Sequence, residues 1–267
     1  MHITDKQIAT FQKEVLNYYK QHARQLPWRM RISPYRVWVS EIMLQQTGVA
    51  RVADKFQEFM KRFPTVQALA NAPLVDVLAV WSGLGYNRRA KFLHQAAQGL
   101  AKSKRFPRTV EQWHMLPGVG YATAAAIMVY AYNSPEVYIE TNIRTVFLHS
   151  FFSDKENVSD QELLPLIERA VAGQEPRLWY SALMDYGSFI KSRFGNPNRK
   201  SKHHVRQKAF AGSVRQVRGA VIKYLLAGPA SIKVLRASIP DERLFSVVHQ
   251  LVSEGMIQKK GTVFFIS

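Results

Sequence analysis

Glu41 is the residue best suited to acid–base chemistry, because it is the only charged side chain in the apolar segment 37–50. On a helix it shares a face with Val37, four residues before it, and Leu44, three residues after it. Apolar surroundings disfavour an ionised carboxylate, and a proton donor that works near neutral pH needs such surroundings. The alternative is a glutamate that pairs with a buried arginine or reaches solvent at a helix edge.

Glu140 is a second candidate, since it lies between apolar residues and is followed by Asn142. A carboxylate near a helix start can face a developing positive charge, and Asn142 can orient it or a water molecule. Alternatively, Glu140 and Thr141 only begin a helix. Together with Glu41, Glu140 would complete the acid and the stabilising anion that cleave a glycosidic bond through an oxocarbenium-like state.

A glycine-rich hairpin is predicted just before an apolar helix that begins at Tyr121. The hairpin residues are Leu116, Pro117, Gly118, Val119 and Gly120. Its glycines let backbone N–H groups converge, and the dipole of the following helix attracts a phosphate. The alternative is an ordinary turn between two helices.

Planar amides and aromatic rings near such a hairpin suit a duplex that is opened at one base. Gln45 and Gln46 follow Glu41 by about one helical turn, and Tyr86 lies in the compact loop 81–86. Trp28 could stack on an extruded base. The alternative is a pair of surface glutamines with tyrosine and tryptophan in the core.

The charge of the chain favours nucleic acid as its partner. Lys and Arg number 37 against 19 Asp and Glu, a formal net charge of +18, and such a field attracts a polyanion. No acidic residue occurs between Tyr186 and Pro240. The predicted phosphate contacts in that segment are Lys191, Arg193, Lys200 and Lys202. The alternative is a general surface basicity.

Composition excludes several chemistries. The chain of 267 residues contains no cysteine, which rules out disulfides, thiolate zinc sites, cysteine-ligated iron–sulfur clusters and cysteine nucleophiles. Its hydrophobic content of 47% predicts a soluble globular protein with a real core. Because no secretory or membrane-spanning pattern is evident, we expect a cytoplasmic protein associated with the nucleoid.

The apolar pattern predicts an all-α fold up to residue 190, with prolines opening helices at Pro34, after Pro64 and at Pro73. The polar, basic segment 196–204 indicates a linker or a DNA-facing loop. Beyond it, helices over 214–226, 231–237 and 241–253 and a terminal β-hairpin outline a winged helix. The alternative is a small α+β cap that only closes the core.

Five motifs together resemble the helix-hairpin-helix (HhH-GPD) DNA glycosylases, and among them the MutY-type adenine glycosylases. The motifs are Leu26-Pro27-Trp28, Ser40-Glu41-Ile42-Met43-Leu44-Gln45-Gln46-Thr47, Gly83-Leu84-Gly85-Tyr86, Leu116-Pro117-Gly118-Val119-Gly120 and Leu183-Met184-Asp185-Tyr186-Gly187. Their order and spacing are those of the family, over roughly residues 8 to 195.

The resemblance implies a mainly α, two-lobed fold with DNA across the cleft and the target base flipped into it. By resemblance, Glu41 matches the general acid and Glu140 the position of the aspartate that stabilises the sugar cation, with Asn142 as the active-site asparagine. Gln45, Gln46 and Tyr86 match residues that probe the duplex. The hairpin matches the element that grips phosphate, often with a bound monovalent cation.

The expected domains combine this resemblance with the sequence pattern. Residues 1–30 and 134–200 would form one helical lobe, and 31–133 a six-helix barrel lobe with the hairpin. Residues 201–211 would form a basic linker, and 212–267 a small winged-helix-like α+β domain.

The sequence departs from the family in four places. Glu140 is one methylene longer than the usual aspartate, and Ala122 stands where lyase members carry a lysine. No lysine occurs from residue 105 to 154, which argues against Schiff-base lyase activity from this segment. Lys191 and Arg193 stand where the four-cysteine loop of the iron–sulfur cluster should begin. The domain that recognises oxidised guanine is replaced by the winged-helix-like segment.

These features predict a monomeric, monofunctional DNA N-glycosylase of base excision repair that removes a mispaired adenine opposite guanine or 8-oxoguanine in double-stranded DNA. One alternative is a mismatch glycosylase for thymine, uracil or a deaminated purine. Another is a DNA lesion-binding protein without catalysis. We expect no cofactor beyond a monovalent cation at the hairpin.

Overall fold

The computed structural model describes residues 3–103, 105–205 and 209–267. Within these ranges the chain is mainly helical, as predicted, with a small three-stranded sheet near its C-terminus. The helices are α1 (Asp5–His22), α2 (Pro27–Met30), α3 (Pro34–Leu44), α4 (Val49–Arg62), α5 (Val66–Asn71), α6 (Leu74–Trp81), α7 (Arg88–Ser103), α8 (Val110–His114), α9 (Tyr121–Tyr132), α10 (Thr141–Phe151), α11 (Asp160–Val171), α12 (Pro176–Phe194), α13 (Val214–Ala227), α14 (Ile232–Ser238) and α15 (Leu244–Ser253). A short 3-10 helix spans Pro197–Lys200, and the strands are β1 (Ala230–Ser231), β2 (Gln258–Lys260) and β3 (Val263–Phe265).

The chain divides into two compact units. The first comprises residues 1–37, 107–114 and 119–206, and the second comprises 38–106, 115–118 and 207–267. This division differs from the domain boundaries expected from the sequence, which stay a prediction. It assigns α9 to the first unit, and it assigns the C-terminal segment to the same unit as α4–α7.

The core of the first unit is an aromatic cluster between α1, α10 and α12. Phe11 packs edge-on against Phe147, Phe151 and Trp179, with ring centroids 5.2, 5.0 and 5.9 Å away. Burying one such ring stabilises a fold by about 1.5–3 kcal/mol, so this cluster is a main reason why α10 and α12 stay together.

Gly187 determines how closely α10 and α12 approach. A Cβ atom at this position would lie 2.7 Å from the carbonyl oxygen of Asn142 and 2.9 Å from its Cβ atom. No side chain fits there without displacing the backbone of α10, and the glycine of the Met-Asp-Tyr-Gly motif is therefore a packing requirement.

The segment after α12 packs on α10, although the sequence indicated a linker or a DNA-facing loop. Asn198 is buried and donates to the Thr141 carbonyl at 3.2 Å and to Thr145 Oγ1. Ser201 and Lys202, the first residues of the predicted linker, pair with the backbone of Val158. Local composition could not show this, because the contacts join residues more than 40 positions apart. Arg206, Gln207 and Lys208 of the predicted linker lie outside the described residues.

The second unit ends in a winged-helix-like module made of α13–α15 and the sheet, as the sequence predicted. The strand order is β1-β3-β2 and both pairings are antiparallel, with Ala230 opposite Phe264 and Lys259 opposite the same residue. Strand β1 was not predicted, because a strand of two residues is defined only by its pairing with β3. No helix in the three described ranges is long and apolar enough to cross a membrane.

Candidate functional site

Glu41 lies on α3, one turn before the end of that helix. The helix begins at Pro34, and the Ser33 hydroxyl accepts a hydrogen bond from the Arg36 amide at 3.3 Å, as expected of a helix start. The residues beside Glu41 in the sequence, Ser40 and Ile42, are buried, whereas Glu41 itself is half-buried. The Glu41 carboxyl therefore lies on an otherwise buried part of the helix, in the second unit.

Arg89 fixes the end of α3 to the loop that carries Tyr86, and the sequence analysis did not single it out. Its guanidinium donates to the carbonyl oxygens of Ile42, Met43, Gln45, Leu84 and Gly85 and to Thr47 Oγ1. Burial lowers the pKa of Arg89 to about 10, so it stays cationic at neutral pH, facing the negative end of the α3 dipole. Its position just after the glycine loop was the only signal in the sequence.

Gln46 and Tyr86 both adopt the left-handed backbone conformation, with φ of 55° and 47°. In the described ranges the other non-glycine residues with positive φ are Asn133 and Asn157, and asparagine adopts the left-handed conformation at little cost. Glutamine and tyrosine adopt it only with backbone strain. Such strain persists only where neighbouring structure maintains it, often at a binding site. Two residues that the sequence assigned to duplex probing thus share an uncommon conformation.

The predicted hairpin joins α8 to α9. Gly118 has a φ of 79°, and a Cβ atom there would lie 2.9 Å from Phe92 Cβ, so only glycine fits. Gln45 is half-buried and donates its Nε2 to the Gly118 carbonyl at 3.3 Å. Leu116 is half-buried and Val119 is buried.

The N-terminus of α9 is open to solvent. Gly120 is the N-cap of α9 and supplies no side-chain hydrogen bond to the first turn. Tyr121, the first residue of the helix, is 59% exposed. Exposed backbone N–H groups at the positive end of a helix dipole are suited to binding a phosphate.

Glu140 is the N-cap of α10. Its Oε1 atom accepts hydrogen bonds from the backbone amides of Asn142 and, at 3.0 Å, Ile143. Within the described residues, Oε2 of Glu140 accepts no hydrogen bond. Burial raises the pKa of Glu140 above its ordinary value, against the opposing effects of the two amides and of nearby Lys191 and Arg144.

Asn142 orients Glu140 through its backbone amide, while its side chain faces α12. Lys191 Nζ donates to Asn142 Oδ1 at 2.8 Å, and Asn142 Nδ2 lies 3.6 Å from the sulfur of Met184. Burial lowers the pKa of Lys191, although the nearby charge of Glu140 acts in the opposite direction. The structure thus places Lys191, predicted as a phosphate contact, beside the candidate catalytic residues of the first unit.

The remaining predicted contacts differ in what they touch. Arg193 and Lys202 are exposed. The Lys200 ammonium donates to the Ser153 carbonyl and lies 3.9 Å from a Glu156 carboxylate oxygen. Trp28 is only 8% exposed, and stacking on an extruded base stays a prediction for it.

An iron–sulfur cluster of the family type does not fit this chain. The sequence has no cysteine to ligate it, Lys191 lies in the last turn of α12, and the chain after α12 forms the 3-10 helix that buries Asn198. In the part of the chain that the structure describes, no three histidine, aspartate or glutamate side chains are grouped so as to hold a metal ion.

Comparison with known proteins agrees with this architecture. Residues 39–169 match the family described as "HhH-GPD superfamily base excision DNA repair protein". The adenine DNA glycosylase of Buchnera aphidicola subsp. Baizongia pistaciae is 35% identical over 184 residues, covering 67% of this chain and 52% of that protein. The adenine DNA glycosylase of Rattus norvegicus is 40% identical over 197 residues, covering 68% of this chain and 38% of that protein.

A solved structure of a thermostable thymine-DNA glycosylase shares the fold, with a TM-score of 0.64 and 24% identity over 73% of this chain and 92% of that one. The chain spans about half the length of the first curated relative and less of the second. The family match and the relatives agree, and residues 39–169 of this chain belong to the HhH-GPD superfamily of base excision DNA repair proteins.

Proposed function

We propose that this protein is a monofunctional DNA glycosylase that hydrolyses the glycosidic bond of a mispaired adenine in double-stranded DNA. The observation that carries the proposal is the state of Glu140, whose Oε1 atom is held by two backbone amides while Oε2 accepts no hydrogen bond within the described ranges. An oriented carboxylate oxygen of this kind can face a sugar cation. The two relatives named as adenine DNA glycosylases support adenine as the base.

In the proposed reaction, protonated Glu41 donates its proton to a ring nitrogen of adenine, which weakens the bond from C1′ to the base. The bond breaks with its electron pair leaving on adenine, and Glu140 stabilises the resulting oxocarbenium ion. A water molecule then adds its oxygen to C1′ and returns a proton to Glu41. The products are free adenine and an abasic site.

The proposed DNA contacts come from the start of α9 and from Gln46 and Tyr86, the two residues with positive φ near α3. The open N-terminus of α9 would bind a phosphate, together with a monovalent cation held by hairpin carbonyl groups. Gln46 and Tyr86, which Arg89 holds beside the end of α3, would probe the base stack at the mismatch. The protein would act as a monomer on the chromosome, in the cytoplasm.

The absence of lyase activity is part of the proposal. The segment from residue 105 to 154 contains no lysine, and the Lys191 amine is hydrogen-bonded to Asn142 in an electrostatic environment shared with Glu140. Borohydride reduction during turnover should therefore leave no covalent protein–DNA adduct.

The test is excision from a panel of duplexes that carry adenine opposite guanine, adenine opposite 8-oxoguanine, thymine or uracil opposite guanine, and hypoxanthine opposite thymine. We expect adenine release from the first two duplexes. Glu41→Gln should lower the single-turnover rate at least about 100-fold, the size of a general-acid contribution, with duplex affinity changed less than about threefold.

Three outcomes would contradict the proposal. Release of thymine, uracil or hypoxanthine instead of adenine would favour a mismatch glycosylase of another specificity. Binding without release of any base would favour a lesion-binding protein. An equal loss of binding and excision in the Glu41→Gln variant would indicate a structural role for Glu41.

A further inference from the structure

Arg215, at the start of α13 in the winged-helix-like module, contacts Tyr86 in the compact loop 81–86. The Arg215 guanidinium carbon lies 5.3 Å from the centroid of the Tyr86 ring, and its Nη1 atom donates to the Tyr86 hydroxyl. The guanidinium carbon of Arg89 lies 5.5 Å from the same centroid. Tyr86 therefore has two arginines against its ring, one from the start of α7 and one from the module.

Helix α13, which carries Arg215, is held in place by an ion pair with the end of α15. The Arg218 guanidinium, one turn later on α13, forms a bidentate pair with Glu254 that ties α13 to the end of α15. The Lys91 ammonium donates to the Glu254 carbonyl, and the Val75 amide donates to the carbonyl of Ser267 at 3.3 Å. These contacts connect the module with α6 and α7, inside the unit that also carries Tyr86.

We propose that Arg215 is a positioning residue for Tyr86, through which the winged-helix-like module takes part in lesion recognition. The inference rests on the proposed function, since it assumes that Tyr86 probes a mismatched duplex. Tyr86 has a sparsely populated backbone conformation that needs support from its surroundings. An aromatic ring fixed before binding loses less conformational entropy when it inserts into a base stack, so the contact with Arg215 strengthens binding where the stack is opened.

If the proposal is right, Arg215 affects the preference for a mismatched over a matched duplex more than it affects the affinity for duplex DNA in general. A merely electrostatic role would weaken matched and mismatched duplexes alike, whereas a positioning role weakens only the duplex into which Tyr86 inserts. The chain offers a matched control in Lys223, an exposed residue of α13 whose neutralisation removes one positive charge from the same helix.

The experiment compares Arg215→Gln, Arg215→Lys, Lys223→Gln and Tyr86→Leu. Binding is measured to a matched duplex and to an adenine–8-oxoguanine duplex whose target sugar carries a 2′-fluoro group, which keeps the glycosidic bond intact. A 2-aminopurine next to the mismatch reports opening of the stack by its fluorescence. Denaturation midpoints of all variants are measured in parallel.

We expect Arg215→Gln to lower the ratio of mismatched to matched affinity about tenfold, the effect of losing one charged contact with the ring, and to suppress the fluorescence rise. Lys223→Gln should leave that ratio within about twofold. Arg215→Lys should give an intermediate ratio, because an ammonium keeps the charge but not the planar stacking. In the Tyr86→Leu background, Arg215→Gln should change the ratio by less than about twofold.

Equal ratios for the wild type and Arg215→Gln, or fully additive effects of the two substitutions, would overturn the inference. If Arg215→Gln unfolds the module, Tyr86→Phe removes only the hydroxyl contact and should still lower the ratio several-fold; an unchanged ratio there would count equally against the inference. Excision of ordinary adenine by the wild type is scored separately. Its absence would defeat the proposed reaction while leaving an Arg215-dependent discrimination intact.

Discussion

At the scale of single residues, Glu140 combines two tasks that make opposite demands. As the N-cap of α10 it accepts two backbone hydrogen bonds, which favour the ionised form, whereas burial disfavours that form and is the stronger influence on its pKa. In the proposed reaction the carboxylate must be ionised before the sugar cation forms. The residue is therefore expected to cost stability at neutral pH in return for a usable anion.

We predict that Glu140→Gln abolishes excision and raises the stability of the protein at neutral pH. The amide oxygen of glutamine can still cap α10, and no buried charge remains. Because the folded-state pKa of Glu140 is raised, its contribution to stability is complete below the unfolded-state value and is lost as the pH rises through the folded-state value. Loss of excision should be at least about 100-fold.

Urea denaturation between pH 4 and pH 8 measures the stability effect. The difference between Glu140→Gln and the wild type should grow as the pH rises through that range. Glu140→Asp, which keeps both charge and cap, is the control and should retain excision within about tenfold. A Glu140→Gln variant that is less stable than the wild type at pH 8 would contradict the predicted cost of the charge at position 140.

At the scale of elements, the sequence predicted the helices better than the contacts between them. Proline and apolar spacing identified the starts of α3, α5 and α6 and the three helices of the module, because these signals are local. Arg89, Asn198 and the position of Lys191 beside Asn142 were not foreseen, because each depends on residues far away in the chain. The sequence identified Glu41 and Glu140 as candidate carboxylates. It did not show that Oε1 of Glu140 accepts both capping hydrogen bonds and leaves Oε2 for another role.

Gly187 provides the sharpest test at this scale, because it sets the distance between α10, which Glu140 caps, and α12, which carries Lys191. Gly187→Ala should place a methyl group 2.7 Å from the Asn142 carbonyl and force α10 away from α12. We expect the free energy of unfolding to fall by about 1–3 kcal/mol, and excision to fall with it as Glu140 is displaced. Urea denaturation and single-turnover excision at saturating duplex measure the two effects.

The matched control is Gly99→Ala on α7, where an added Cβ atom meets nothing within 4 Å. Alanine has the higher helix propensity, so this change should stabilise the protein by up to about 1 kcal/mol and leave excision unchanged. If Gly187→Ala is as harmless as Gly99→Ala, the close approach of α10 and α12 is not needed for the site.

At the scale of the whole molecule, the formal charge of +18 overstates the number of cations that are available to DNA. Many arginines serve the fold instead. Arg24 and Arg29 both pair with buried Asp185, and Arg144 forms a two-bond pair with Asp160. The Arg89 guanidinium donates to the carbonyl groups of Ile42 and Met43 near the end of α3. Neighbouring lysines in the basic segment should therefore contribute unequally to binding.

Lys200 and Lys202 make this inequality measurable, because they are two positions apart and carry the same charge. Lys202 has an exposed side chain, whereas the Lys200 ammonium already donates to the Ser153 carbonyl and lies 3.9 Å from Glu156.

Each phosphate contact contributes about 0.9 to the slope of the logarithm of affinity against the logarithm of salt concentration. Lys202→Gln should reduce that slope by about 0.9 and Lys200→Gln by clearly less. Titration of a matched duplex between 50 and 300 mM salt, roughly the range in which counterion release dominates, would measure both slopes. Equal reductions would mean that Lys200 leaves its partners to bind phosphate, and a reversed order would show that the contacts with Ser153 and Glu156 do not determine which lysines meet DNA.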